Sequence, residues 1–197
     1  MGRIIDAMTN EHTAAGGLRN CFLIAMPGLH NSVFSHTITY VCDHSADGAM
    51  GIVINSPMDM DMGEIFRQFK ATDCAGLSDQ AVMGGGPVQG ERGFVLHSPE
   101  AQWESTLRVS DEVSLTTSRD VIEAMARGQG PAKALVALGY AGWGAGQLED
   151  EIADNAWLTV PADSSIIFDT PVEQRWSAAA KQLGIDLNLI SSTAGHA

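Results

Sequence analysis

The sequence predicts an α+β fold: one domain built on a mixed, mostly antiparallel sheet with helices flanking it. Three observations carry this. Strand-like runs outnumber helical ones, and two of them face each other across a turn as a hairpin. A chain of 197 residues fits one domain, and at that size about 70% of the unfolded surface can be buried without a disulfide or metal. No internal repeat is visible.

Residues 1–18 include Asp6, Asn10, Glu11 and His12. They lack the apolar stretch of a signal peptide and read as a flexible arm, with the domain spanning 19–197. Residues 21–26 are an apolar run stopped by Pro27-Gly28, as in a strand buried on both faces. Residues 37–42 are β-branched and alternating, 43–48 read as a turn, and 50–55 return as the partner strand before Ser56-Pro57 breaks it. Residues 62–70 place Ile65, Phe66 and Phe69 on one face of a short helix.

Ala81-Val82-Met83 is a short strand leading into Gly84-Gly85-Gly86-Pro87. Strands are predicted at 92–97, 105–109 and 113–116. Thr117 and Asp120 have the spacing of a capping box, starting a helix through Arg127 that ends at Gly128. Residues 132–140 fit a strand or a helix, because a short apolar run has no decisive period. Residues 149–154 suit one or two helical turns, and 156–160 and 164–168 read as strands. Thr170 as N-cap, Pro171 at the first helical position and Glu173 start a last helix running to about Leu183, before Gly184.

The formal charge is −13, from 24 acidic and 11 basic residues. Phosphate neutralisation by Lys and Arg dominates nucleic-acid affinity, so direct DNA binding is disfavoured. Cys21, Cys42 and Cys74 are odd in number and lack CxxC spacing, which argues against a disulfide framework or a zinc site and for the cytoplasm. The longest uncharged run, 134–148, is too short and glycine-rich to cross a bilayer.

The chemistry-bearing segments are two glycine-rich stretches and a polar triplet. Gly84, Gly85 and Gly86 could cradle an anion through consecutive amides, or form a tight structural turn. They match neither GxxxxGK[ST] nor GxGxxG. Ser118, Arg119 and Asp120 suit a helix cap, and arginine at a helix start also suits an oxyanion. Arg119 is expected either to pair with a core carboxylate or to face a cleft beside the glycine loop. Trp143, between Gly142 and Gly144 in a second glycine loop, is free to stack on a ligand or to plug the core. His44 and Asp47 share a turn and could bond each other, while His97 reads as a satisfied polar strand end. The histidines and carboxylates form no HExxH or similar metal pair, and no GxSxG elbow is present; Ser32, Ser35 and Ser98 near histidines are weak indications of a triad. No catalytic residue, metal site or cofactor is predicted.

These segments also carry a resemblance. Phe22-Leu23-Ile24-Ala25-Met26-Pro27, Phe34, His44 with Asp47 to Asn55, Gly84 to Val88, Gly93 to His97, Thr116 to Asp120, Gly139 to Glu149, Trp157 to Val160 and Ala194 to Ala197 occur in the order seen in bacterial AlgH/YqgE proteins. The chain is similar to that family from about Gly17 to its end. The resemblance implies a coiled or barrel-like central sheet and a transcriptional-regulator label, without an established activity. The leading expectation is a non-catalytic cytosolic regulatory protein acting through a protein partner or a small ligand. The alternative is an enzyme or binder of nucleotides or phosphorylated metabolites that uses the glycine loops, Ser118 and Arg119.

Overall fold

The computed structural model describes residues 17–26 and 36–184. Among them are ten strands and five helices: β1 Cys21–Ala25, β2 Ile38–Ser45, β3 Gly48–Val53, β4 Pro57–Asp61, α1 Met62–Gln68, β5 Ala81–Gly84, β6 Val88–His97, β7 Thr106–Arg108, β8 Ser114–Thr116, α2 Asp120–Ala126, β9 Ala134–Gly144, α3 Gln147–Ala153, β10 Trp157–Pro161, α4 Ser164–Phe168 and α5 Val172–Gln182. The strands form a curled half-barrel ordered β10-β1-β2-β3-β9-β6-β8-β7, with β5 on β9 and β4 on β5. Only the β5–β9 pair is parallel, so the predicted mixed, mostly antiparallel sheet is the one observed.

Period-two alternation sends successive side chains to opposite faces. On one face, Phe22, Ile24, Ile38, Tyr40, Ile52, Phe94, Leu96, Leu135 and Ala137 form the main core. It is closed by Ile166 and Ile167 of α4, Ala179 and Ala180 of α5, and the β7–β8 connection at Val109 and Val113. On the other face, α1 and α2 cover Val82, Val95 and Val136. Leu148 of α3 packs there with Leu23, Val41, Ala141 and Trp157. Both faces of the central strands are therefore buried, which is why 21–26 reads as a continuous apolar run.

Strand β9 changes sides part-way along. Leu135 and Ala137 belong to the main core, yet Ala141 and Trp143, of the same parity, lie in the cluster under α3. Gly139 lies between them at φ +74, a left-handed conformation that glycine adopts without Cβ strain. One such residue inverts the alternation, so Tyr140 packs against the main core instead.

Several sequence expectations are corrected. Of the open segment 132–140, residues 134–140 are strand, and it continues to Gly144, so the second glycine stretch is not a loop. Residues 164–168 form α4 rather than a strand, because the Asp163 carboxylate accepts the Ser165 N–H at 2.9 Å and caps the turn. The 43–48 turn shrinks to Ala46-Asp47, since β2 extends to Ser45. Strand β4 was not predicted; Pro57 is its first residue, a position where a strand tolerates proline.

The two predicted capping boxes do not form. Arg119 is the α2 N-cap without a side-chain bond, and the Thr117 N–H goes to the Ser105 carbonyl. Pro171 stands at the α5 N-cap, and the Thr170 hydroxyl donates to the Ser165 carbonyl. Of the expected arm, residues 1–16 lie outside the described residues, whereas Leu18 is buried at 3% exposure and its N–H donates to His44 Nδ1. Pro27, Gly28, His30, Ser32, Phe34, Ser35 and residues 194–197 also lie outside the described residues. Among those described, no helix is long and apolar enough to cross a membrane.

Candidate functional site

An open trough of about 910 Å³ lies on the main-core face. Met50, Phe94, Leu115, Tyr140 and Gly142 give it an apolar floor. The β2–β3 hairpin raises one wall with Asp43, Ser45 and Asp47, and residues 104–107 entering β7 raise the other. Gln89 and Arg92 project from β6 between them.

The backbone explains why these two residues are there. In the β6–β9 ladder, Val88 pairs with Tyr140 and Gly93 pairs with Leu138. Residues 89–92 therefore bulge opposite Gly139 alone, the residue that inverts the strand. Bulges re-aim side chains and recur beside functional sites. Gln89 takes a positive φ of 49° without being glycine, a conformation that costs on the order of 1–3 kcal/mol and clusters at ligand sites. Its side chain accepts a bond from Arg92 Nη1 at 3.3 Å. The Arg92 guanidinium carbon lies 5.7 Å from the Phe94 ring centroid, and the Phe94 and Tyr140 rings are 5.5 Å apart.

Ser118 and Asp120 act on this site from behind. The Ser118 hydroxyl donates to Asp120 and accepts the Ser105 N–H at 3.1 Å, while Asp120 accepts the Glu104 N–H at 3.0 Å. Burial alone would raise the Asp120 carboxyl, but these bonds hold it below its ordinary range. Ser118 and Asp120 thus pin the β7 wall of the trough.

His97 braces the same wall. It is fully buried; Nδ1 donates to the Ser98 carbonyl at 2.8 Å, which leaves Nε2 to accept from the Thr116 hydroxyl at 2.9 Å. Thr116 and Thr106 hydroxyls lie 2.7 Å apart, and Thr106 also bonds the Trp103 backbone. Burial pushes the imidazole below its ordinary value of 6.5. The unfolded chain then binds the extra proton as pH falls below about 6.5, so acidification favours unfolding. The melting temperature should be level above about pH 7.5 and decline from about 6.5 downward. In His97→Gln the decline should be deferred until carboxylates titrate; equal slopes in parent and variant would contradict this.

The six residues singled out from the sequence occupy three places. Trp143 borders the trough, but it is only 7% exposed; its Nε1 donates to Glu151 Oε2 at 2.9 Å, and its ring meets Trp157 edge-on at 6.0 Å. Ser118 and Arg119 line a separate hollow of about 170 Å³ with Phe69, Glu91 and Gly93. Arg119 satisfies neither expected role. Its side chain is 60% exposed, pairs with Glu123 at 2.7 Å one helical turn on, and stacks over Phe69 at 4.7 Å. An i,i+4 surface pair of this kind contributes about 0.3–0.5 kcal/mol.

Gly84, Gly85 and Gly86 line neither space and sit where β5 crosses β9. An added Cβ at Gly85 would strike the Gly139 carbonyl oxygen, and one at Gly86 would strike the Tyr140 carbonyl. Gly85 N–H bonds the Leu138 carbonyl at 2.8 Å, so this amide is already spent on the sheet. His44 does not bond Asp47: Nε2 meets Glu149 Oε1 at 2.7 Å, tying the hairpin to α3.

Sequence reasoning missed Arg92 and the bulge, because no local pattern marks a register shift set by a glycine on another strand. It also missed Arg175, although a signal existed. Val172, Arg175, Trp176, Ala179 and Ala180 follow helical spacing, which places a cation within an apolar stripe.

A curled α+β half-barrel with an open trough at its bulged strand defines the class of protein. The chain belongs to the AlgH-like family, whose family model matches residues 22–188. A UPF0301 protein of Saccharophagus degradans is 60% identical over 98% of this chain and 97% of its own. A UPF0301 protein of Thioalkalivibrio sulfidiphilus is 57% identical over 94% of this chain and all of its own. The solution structure of the AlgH protein from Pseudomonas aeruginosa superposes with a TM-score of 0.76 at 49% identity, covering 91% of this chain and 96% of that one. A crystal structure of a Corynebacterium diphtheriae protein shares the fold at a TM-score of 0.75 and 18% identity, over 96% and 97% of the two chains.

Proposed function

We propose that the protein is a non-catalytic cytoplasmic regulator that works by binding a small ligand in the trough, with Trp143 at its border. The observation that carries this reading is the juxtaposition, in one open trough, of the strained Gln89, the cation Arg92 and the rings of Phe94 and Tyr140. Binding sites combine an apolar surface with a few convergent polar groups. A net charge of −13 favours a small ligand or a protein partner over bare DNA. Three free cysteines, two of them buried, suit a reducing compartment.

A thermal-shift screen of nucleotides and small carboxylated or phosphorylated metabolites tests the reading. At a hundredfold excess over Kd a ligand adds about 2.7 kcal/mol, or roughly 5–11 °C for a domain of this size. The half-exposed Leu107 borders the trough, so Leu107→Glu should keep the fold and lose the shift. No stabilisation at saturation, or an undiminished shift in Leu107→Glu, would overturn it.

A further inference from the structure

We infer that the trough selects an amino-substituted aromatic ring carrying one anionic group, with the anion on Arg92. This rests on the trough being the binding site and adds the chemistry it recognises.

Among the described residues Arg92 is the one cation lining the trough, and no carboxylate lies within 4.0 Å of its guanidinium. The other described arginines are otherwise engaged or elsewhere. Arg19, Arg67, Arg108 and Arg119 each have a carboxylate partner. Arg175 is buried on backbone carbonyls, and Arg127 is absent from the trough's lining. Arg92's contacts with Gln89 at 3.3 Å and Thr117 at 3.5 Å are long, so its donors are weakly committed. A guanidinium takes a carboxylate or phosphate through paired N–H donors. The Thr117 hydroxyl and Gln89 stand beside it to complete an oxyanion's bonds.

Next to that anchor, the Phe94 and Tyr140 rings, inclined at 58° to each other, offer an apolar floor with Met50 and Leu115. Aromatic rings pack against such a surface offset or edge-on. The walls then set the polarity of the ring's far edge. Asp47 and Asp43 stand on the hairpin side and Glu104 on the β7 side, with the hydroxyls of Ser45, Ser105 and Thr106 among them. Carboxylates accept and never donate when ionised, so they favour an edge bearing N–H groups. Asp43 is paired with Arg19, and the two remaining carboxylates, Asp47 and Glu104, in a chain of charge −13, also repel a ligand with several phosphates.

Adenosine 5′-monophosphate and 4-aminobenzoate carry this chemistry with phosphate and carboxylate respectively. Calorimetric titration of the full chain at fixed low ionic strength compares them with adenosine, ribose 5-phosphate and adenosine triphosphate. At least one of the two should bind, and the stronger names the anion. Adenosine, ribose 5-phosphate and the triphosphate should each bind at least tenfold more weakly than adenosine monophosphate if phosphate is the anion. Benzoate should bind at least tenfold more weakly than 4-aminobenzoate if carboxylate is. Arg92→Gln should weaken the preferred probe at least tenfold while leaving adenosine unchanged.

An anion-free counterpart (adenosine for the monophosphate, aniline for 4-aminobenzoate) that binds as tightly as the preferred probe, or an Arg92→Gln variant that binds the preferred probe as the parent does, would overturn the inference. So would silence from both probes. If both stay silent while another metabolite gives a shift that Leu107→Glu abolishes, the ligand class is wrong and the trough reading stands. If no compound gives such a shift, both fall.

Discussion

Gly86→Ala should prevent stable folding. Gly86 has φ +151, and an added Cβ would lie 2.2–2.4 Å from the Tyr140 carbonyl and the Ala141 nitrogen, far inside van der Waals contact. Those are backbone atoms of a central strand, so neither can move aside without breaking the β6–β9 ladder or the β5–β9 pairing. Backbone strain contributes on the order of 1–3 kcal/mol, and displacement of a core strand takes the total past about 4–5 kcal/mol, most of a typical domain's stability. The expected result is insoluble protein or a chain without a cooperative melt. Gly90→Ala is the control: it lies in the same bulged strand, and its added Cβ would meet nothing within 4 Å. Its change should stay within about 0.5 kcal/mol by urea unfolding. A Gly86→Ala protein that melts like Gly90→Ala would contradict the crossing.

Arg175→Met should also be strongly destabilising. Arg175 is only 8% exposed. Its Nε donates to the Thr170 carbonyl at 3.0 Å, and Nη1 donates to the Ile54 carbonyl just past β3. Burial lowers the guanidinium from its ordinary value, but arginine stays charged in proteins. Methionine keeps an apolar stem and removes the donors, leaving two carbonyls without them. Bonds from a charged donor contribute about 1.5–3 kcal/mol each, so a loss of about 3 kcal/mol or more is expected. For a domain of this size that is a fall of roughly 6–12 °C in melting temperature. Arg175→Lys, with one compact donor head, should fall between parent and methionine. A Met variant as stable as the parent would show that the cation does not hold α5 to the sheet.

The fold was largely legible because strand burial leaves a period in the sequence. The run at 21–26 and the hairpin partners at 37–42 and 50–55 declare themselves by apolar and β-branched content. What failed was local and has local causes. Residues 164–168 are rich in isoleucine and serine, yet the Asp163 cap makes a helical turn of them. The glycines of 139–144 suggest a loop, but most of them serve a strand packed closely against others, and one inverts its faces.

The site was less legible than the fold. Trp143 was singled out and does border the trough, whereas Gly84 to Gly86 answer to a backbone crossing and Arg119 to a surface helix. Ser118 was singled out as a ligand group, and its bonds instead go to the β7 wall. Arg92 stands in an unremarkable Gly-Glu-Arg-Gly stretch. Its importance comes from pairing four residues of β6 against one of β9, a relation between strands about 50 residues apart in sequence that no single-chain periodicity reveals.

Backbone-amide NMR mapping of the parent chain with the low-molecular-weight fraction of a bacterial extract tests the central claim most directly. If the bulged trough is the binding site, the largest shifts fall on Asp47, Gln89, Arg92, Ser105 and Thr117, and they vanish in Leu107→Glu. Shifts concentrated at Gly84 to Gly86 or along α1, with the trough amides unmoved, would contradict it.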